Sequence, residues 1–166
     1  MKFANRVVSY CALMKLVLVW IGRTRDSRLQ ALENDFLERL RRFGGVETRV
    51  VKESTRREPS VARADERDRV EEKIPAASVL VALDEAGTQY SSREFAEFLE
   101  RLSISGKRGI TFVIGGAHGL GPEFTDRADY VISLSRMTWT HEMARVLLLE
   151  QLYRAFNITR GYPYHK

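Results

Sequence analysis

The 166-residue chain has a single cysteine, Cys11, so no disulfide can close within it. No cluster of cysteine and histidine has zinc-ligand spacing either, and a disulfide scaffold and a structural metal are both unsupported. The expectation is a protein of a reducing compartment, the cytoplasm. A long uninterrupted apolar run is also missing. Residues 1–21 come nearest, but Lys15 splits the run and no small-residue cleavage site follows, which argues against a membrane span and a secretory signal. The Lys-Ser/Thr ending of a phosphate-binding loop is absent, and no glycine fingerprint follows the first strand, which disfavours phosphotransferases and dinucleotide-dependent dehydrogenases.

What is present suits one compact domain: 44% of residues are hydrophobic and 10% aromatic, enough for one sizeable core. The net charge of +5 and a pI near 9.6 would help attract a polyanion such as RNA, although basic balance alone does not select that partner. Met14-Lys15 followed by the apolar run 16–21 reads like a natural protein start entering a buried strand. Residues 1–13 are then an appendage, expected to be disordered, with an organelle-targeting peptide as the alternative; residues 14–166 form the domain.

Hydrophobic spacing predicts alternating elements. After a strand at 15–21, Ser27 with Gln30 reads as a capping box opening an amphipathic helix that ends at Gly44-Gly45. A strand at 46–51 precedes the charged stretch 52–73, where Val61, Ala64, Val70 and Ile74 make a weak stripe; it reads as a solvated helix entered after Pro59, or else as a disordered or RNA-touching segment. Strands follow at 78–83, 110–114 and 130–134. Between the first two of these lies a helix opened by Ser91 and Glu94, and a last helix runs from about Thr140 to Asn157. Alternation with continuously apolar strands implies a parallel sheet covered on both faces. The last helix carries Val146, Leu147, Leu148, Leu149, Leu152 and Phe156, more than one stripe, so it must be buried twice; its second side is assigned to a second copy of the chain.

Three stretches carry chemistry. Gly115-Gly116-Ala117-His118-Gly119-Leu120-Gly121 directly follows a buried strand, where glycines let backbone approach a ligand, although an ordinary tight turn would look the same. Ser133 to Glu142 joins the fifth strand to the last helix: Thr140 is placed to cap that helix, while Met137 and Trp139 are large apolar residues in a loop, able to wall a flat ligand such as adenine. Glu150 and Arg154 have the spacing of a helical ion pair, and the tail 161–166, with Tyr162, Tyr164 and His165, is richer in aromatic groups than a free end usually is.

Together these stretches resemble the large-subunit ribosomal RNA methyltransferase H family, the pseudouridine N3-methyltransferases of the SPOUT superfamily. The likeness runs from Met14 to His165. It is carried by Leu83-Asp84, Ile114-Gly115-Gly116 with Gly119, Ser133-Leu134-Ser135 with Met137-Thr138 and His141, Glu150-Gln151-Leu152-Tyr153-Arg154-Ala155, and Pro163-Tyr164-His165. Ala117-His118, Thr140, Glu142 and Tyr162 depart from the family pattern.

The resemblance implies a single-domain α/β fold whose parallel sheet is flanked by helices and whose C-terminal part forms a deep trefoil knot, an exception to unthreaded topology. It implies S-adenosylmethionine as methyl donor, lined by Leu83, Gly116, Ser135, Arg136, Met137, Thr138, Trp139 and Thr140, with no metal. It further implies a homodimer with composite active sites, ribosomal RNA or the ribosome as substrate, and no membrane. Pseudouridine N3 is a weakly acidic imide, so its deprotonation needs a base or a stabilising cation; His165 and Arg154 are the candidates, with solvent as an alternative base and Tyr164 helping to hold the target base. A noncatalytic RNA-binding α/β module is the rival reading.

Overall fold

In a computed structural model the protein is described over residues 15–163. The elements are β1 (Lys15–Ile21), α1 (Ser27–Arg41), β2 (Val46–Val51), α2 (Pro59–Glu71), β3 (Ser78–Gln89), α3 (Ser92–Ser103), β4 (Gly109–Ile114), α4 (Pro122–Thr125), β5 (Tyr130–Ser133) and α5 (His141–Thr159). The strands form one five-stranded sheet in the order β2-β1-β4-β3-β5, and every neighbouring pair is parallel. The expected parallel sheet flanked by helices is therefore present. The expected appendage, and with it Cys11, lies outside the described residues.

Alternate residues of the strands feed two cores. Leu16, Leu18 and Trp20 of β1 join Ile110 and Phe112 of β4 beneath α1, α3 and α5, in a cluster rich in phenylalanine and leucine. Val17, Val19 and Ile21 face the other way, onto a smaller cluster closed by Val70 of α2, Leu120 and Phe124. Burial on both faces is why β1 reads as an unbroken apolar run.

Several local expectations are corrected. The first helix is capped one residue earlier than the spacing suggested, because the Asp26 carboxylate accepts from the backbone N–H groups of Arg28 and Leu29, which leaves Ser27 inside the helix. α2 is a helix, with Glu58 as cap and Pro59 in its first turn, but its buried stripe is Ala62, Glu66 and Val70, while Val61 points to solvent. The third strand runs on to Gln89, where sequence polarity suggested an end at Leu83. A register shift between Leu83 and Thr88 lets both pair with Ile132, and a Cβ at Gly87 would stand 2.6 Å from the Ile132 carbonyl carbon, so only glycine permits the approach. By contrast, the Ser91/Glu94 capping box and the Thr140 cap, which accepts from Met143 N–H, form where expected.

The largest correction concerns α5. Leu148 and Leu152 are completely buried, in the core shared with Leu37 and Leu40 of α1 and Phe95, Phe98 and Leu99 of α3. The helix is buried twice, as its composition demands, but its own chain covers both residues. They give no reason to invoke a second copy.

Candidate active site

Parallel topology brings the carboxyl ends of β4, β3 and β5 side by side, and ligands of open α/β sheets bind outside that edge. A cavity of about 460 Å³ opens there, walled by Leu83 and Asp84 of β3, the loop after β4, the loop after β5, and His141 and Ala144 at the start of α5.

The loop after β4 folds back on itself. Gly116 and Gly119 form an isolated antiparallel bridge, and Gly119 and Gly121 take φ of +70° and +78°, conformations that side chains resist. A Cβ on Gly115 would lie 2.7 Å from the Gly119 carbonyl carbon. At Gly116 an added side chain would meet protein: its Cβ would press on Ile21 Cγ2 at 3.2 Å and approach Glu66 Oε2 at 3.5 Å. Substitution there would crowd the wall behind the cavity.

The loop after β5 is held by its own hydroxyls. Ser133 Oγ donates to the Ser135 carbonyl, Met137 N–H donates to Ser135 Oγ, and Thr138 Oγ1 donates to Glu85 Oε2 at 2.6 Å. This clamp displays Met137 and Trp139, which remain 72% and 42% exposed at the cavity wall. Large apolar groups held at a polar loop suit contact with a ligand or another surface.

Beneath the start of α5, Arg145 is completely buried. Its guanidinium donates to Thr24 Oγ1 at 2.8 Å and to the Ile21 carbonyl at 2.5 Å and lies over the Trp20 ring, while Thr24 Oγ1 donates to buried Glu33. Burial pushes the Glu33 carboxyl above its ordinary range and the Arg145 guanidinium below its own. Next to this network, burial first and the Arg145 charge second hold the His141 imidazole below its ordinary value and favour its neutral form. Glu142 accepts from the backbone N–H groups of Arg25 and Asp26, which tie the loop after β1 to α5 and hold this carboxyl low.

Of the residues expected around a donor, the structure brings Leu83, Gly116, Ser135, Met137, Thr138 and Trp139 to one cavity. Arg136 and Thr140 belong to the same exposed loop but do not line it; Thr140 is occupied as the cap of α5. Arg154 makes the expected pair with Glu150, at 2.7 Å, but sits thirteen residues along α5 from His141, about 20 Å at the helical rise. Within one chain it does not meet the cavity. Tyr164 and His165 lie outside the described residues. Sequence reasoning missed Glu85 and Ala144 in the wall, and Glu66 behind it, a buried acid on a stretch assigned to a solvated helix. Only the i, i+4 spacing of Ala62, Glu66 and Val70 marked that face. Among the described residues no group of His, Cys, Asp and Glu could hold a metal ion, and no helix is long and apolar enough to cross a membrane.

The family model described as "Predicted SPOUT methyltransferase" matches residues 14–165. The chain is 41% identical over 152 residues to the ribosomal RNA large subunit methyltransferase H of Geobacter sulfurreducens, covering 92% of this chain and 99% of that protein. It is 45% identical over 154 residues to the protein of the same name from Syntrophotalea carbinolica, with the same coverage. Among solved structures it shares its fold with a probable methylase family protein of Haemophilus influenzae (TM-score 0.59, 17% identity, 93% of this chain and 71% of that one). A probable methyltransferase of Bordetella pertussis is also similar (TM-score 0.53, 13% identity, 92% and 99%).

Proposed function

The chain belongs to the SPOUT methyltransferases, in the ribosomal RNA large subunit methyltransferase H family, and from that membership we propose that it methylates ribosomal RNA with S-adenosylmethionine as donor. The acceptor in this reading is N3 of pseudouridine 1915 of 23S rRNA, in bacterial reference numbering, and the protein acts in the cytoplasm. The observation that carries it is the 460 Å³ cavity at the carboxyl edge of the sheet, where a glycine loop opposes Met137 and Trp139.

The donor set fits an adenosyl group. The side chains of Met137 and Trp139 offer flat apolar contact, and the loops after β4 and β5 bring polar backbone to the same cavity, to which hydrogen-bonding edges of an adenine can be matched. A bound sulfonium supplies an already activated methyl group, so the protein's part is alignment and management of the N3 proton. Leu83, Gly116, Ser135, Met137, Thr138 and Trp139 hold the donor in this reading, and Thr138 is itself steadied by Glu85. Arg154 steadies negative charge developing on the imide, His165 assists loss of its proton, and Tyr164 holds the base.

Because Arg154 stands ten residues along α5 from Ala144, the last residue of that helix in the cavity wall, about 15 Å at the helical rise, its part requires a second copy, and a homodimer with composite sites belongs to the proposal. So does the C-terminal trefoil knot. Tritiated-methyl transfer to large subunits from a strain lacking this activity tests the reaction, and mapping the product nucleotide tests the site. Calorimetry with the donor decides the rival: a chain that binds RNA but gives no heat with S-adenosylmethionine is a noncatalytic RNA-binding module.

A further inference from the structure

A second cavity, of about 340 Å³, lies over the carboxyl ends of β1 and β2, beside the first. The two share Ala117, His118 and His141, so a group seated in one faces a group seated in the other. Its charges are mixed, but two of its three acids are engaged. Glu53 accepts from the Arg25 guanidinium at 2.8 Å, and Glu142 is taken by two backbone N–H groups. The third differs. Glu66 is only 6% exposed; Oε1 accepts from Ser54 N–H at 2.8 Å, and Oε2 has no hydrogen-bond partner. A buried acceptor left unpaired is costly, and its presence in a cavity wall is accounted for when a ligand N–H completes it. Arg25 and Arg56 stand exposed at the rim.

We propose that this second cavity seats the acceptor nucleotide of the RNA, with a ring N–H of its base toward Glu66 and its phosphate toward Arg56. The inference rests on the methyltransferase reading above. Transfer requires donor and acceptor in adjoining compartments, and this cavity opens beside the donor's. An interior acceptor with cations at the rim matches a nucleotide, which carries N–H groups on its base and an anion at its margin; a free phosphate would have no use for Glu66. For a pseudouridine the chemistry is narrower. Its ring is joined to the sugar through carbon and carries two N–H groups, of which methylation at N3 consumes one. The other persists through the reaction and is absent from uridine. Glu66 thus becomes a specificity-determining residue that distinguishes the two bases.

The test uses the full-length protein and large subunits isolated from cells lacking the activity, with either pseudouridine or uridine at the target. Glu66→Gln keeps the volume but offers one oxygen where Ser54 N–H and the base each need an acceptor. Its kcat/KM on pseudouridine should fall by about tenfold or more, the scale of a lost charge-assisted hydrogen bond, while the rate on uridine holds. Arg56→Ala should raise KM for the subunit and lower the slope of log KM against log salt by about 0.7 to 0.9, one phosphate contact, with donor affinity unchanged. A Glu66→Gln variant that loses both substrates equally together with melting temperature, or an Arg56→Ala variant with parental KM and salt slope, overturns the assignment while leaving the methyltransferase reading intact. A parent protein inactive on both substrates overturns that reading and this inference with it.

Discussion

Leu148 and Leu152, packed among α1, α3 and the sheet, expose nothing to solvent, whereas Met137 and Trp139, at the carboxyl edge of the same sheet, leave 72% and 42% of their surface open. The helix-sealed face is made of apolar side chains at regular helical and strand spacing. The edge is made of glycines in positive-φ conformations, hydroxyls that clamp a loop, and charged groups engaged by backbone amides. Burial of the first kind supplies stability, and openings of the second kind supply a place for ligands; a fold needs both and draws them from different stretches of chain. Arg145 connects the two, being rooted in a core helix while its guanidinium holds the loop after β1.

The separation can be broken most forcefully at the tail. If Tyr164 to Lys166 serve only the edge, their removal should cut methyl transfer by about 100- to 10,000-fold, the usual reach of general acid-base assistance, with melting temperature and donor affinity near parental. A joint fall of melting temperature and affinity, with His165→Ala retaining turnover, would instead make the tail a structural plug. Arg145→Ala should fail on both sides of the comparison. It takes the buried donor from the Ile21 carbonyl and Thr24 Oγ1 and the nearby cation from Glu33, and should cost about 3–5 kcal/mol in chemical denaturation while weakening donor binding. Leu148→Ala belongs to the sealed face alone: a loss of about 2–5 kcal/mol is expected, with donor affinity of the folded protein unchanged.

Smaller effects sharpen the boundary. Thr140→Ala removes the cap of α5 and should cost about 0.5–2 kcal/mol by the same denaturation measurement. For pH, the folded His141 titrates below its ordinary 6.5, so the unfolded chain binds more protons in the interval between the two values. The stability it contributes is full above about pH 6.5 and is lost as pH falls through the lowered folded value. Glu33, raised by burial, pulls in the opposite sense, so the readout is the difference between parent and His141→Gln in denaturation midpoint from pH 7.5 to about 5.5. A flat difference would show that the imidazole is not held neutral.

Much of the fold was legible because its signals are periodic. The apolar run of β1, the spacing of Phe95, Phe98, Leu99 and Leu102, and the caps at Ser91 and Thr140 each report a local geometry that neighbouring residues enforce. The loops after β4 and β5 were legible for another reason, since glycines after a buried strand and apolar residues in a polar loop depart from the pattern of the core. What misled was composition taken without place. α5 carries enough leucine to suggest a second chain, yet α1 and α3 of its own chain enclose Leu148 and Leu152.

By itself, then, the sequence determined most of the elements and the parallel sheet, and it marked the two loops that meet at the first cavity, because side-chain spacing, a glycine run and apolar residues in a polar loop are all local signals. The tertiary structure alone decided which strand ends adjoin, that α1 and α3 enclose α5, and that Glu66 turns a bare oxygen toward the glycine loop. Those relations join residues from about 30 to more than 90 positions apart, and no local pattern encodes a distance set by the order in which parallel strands pair.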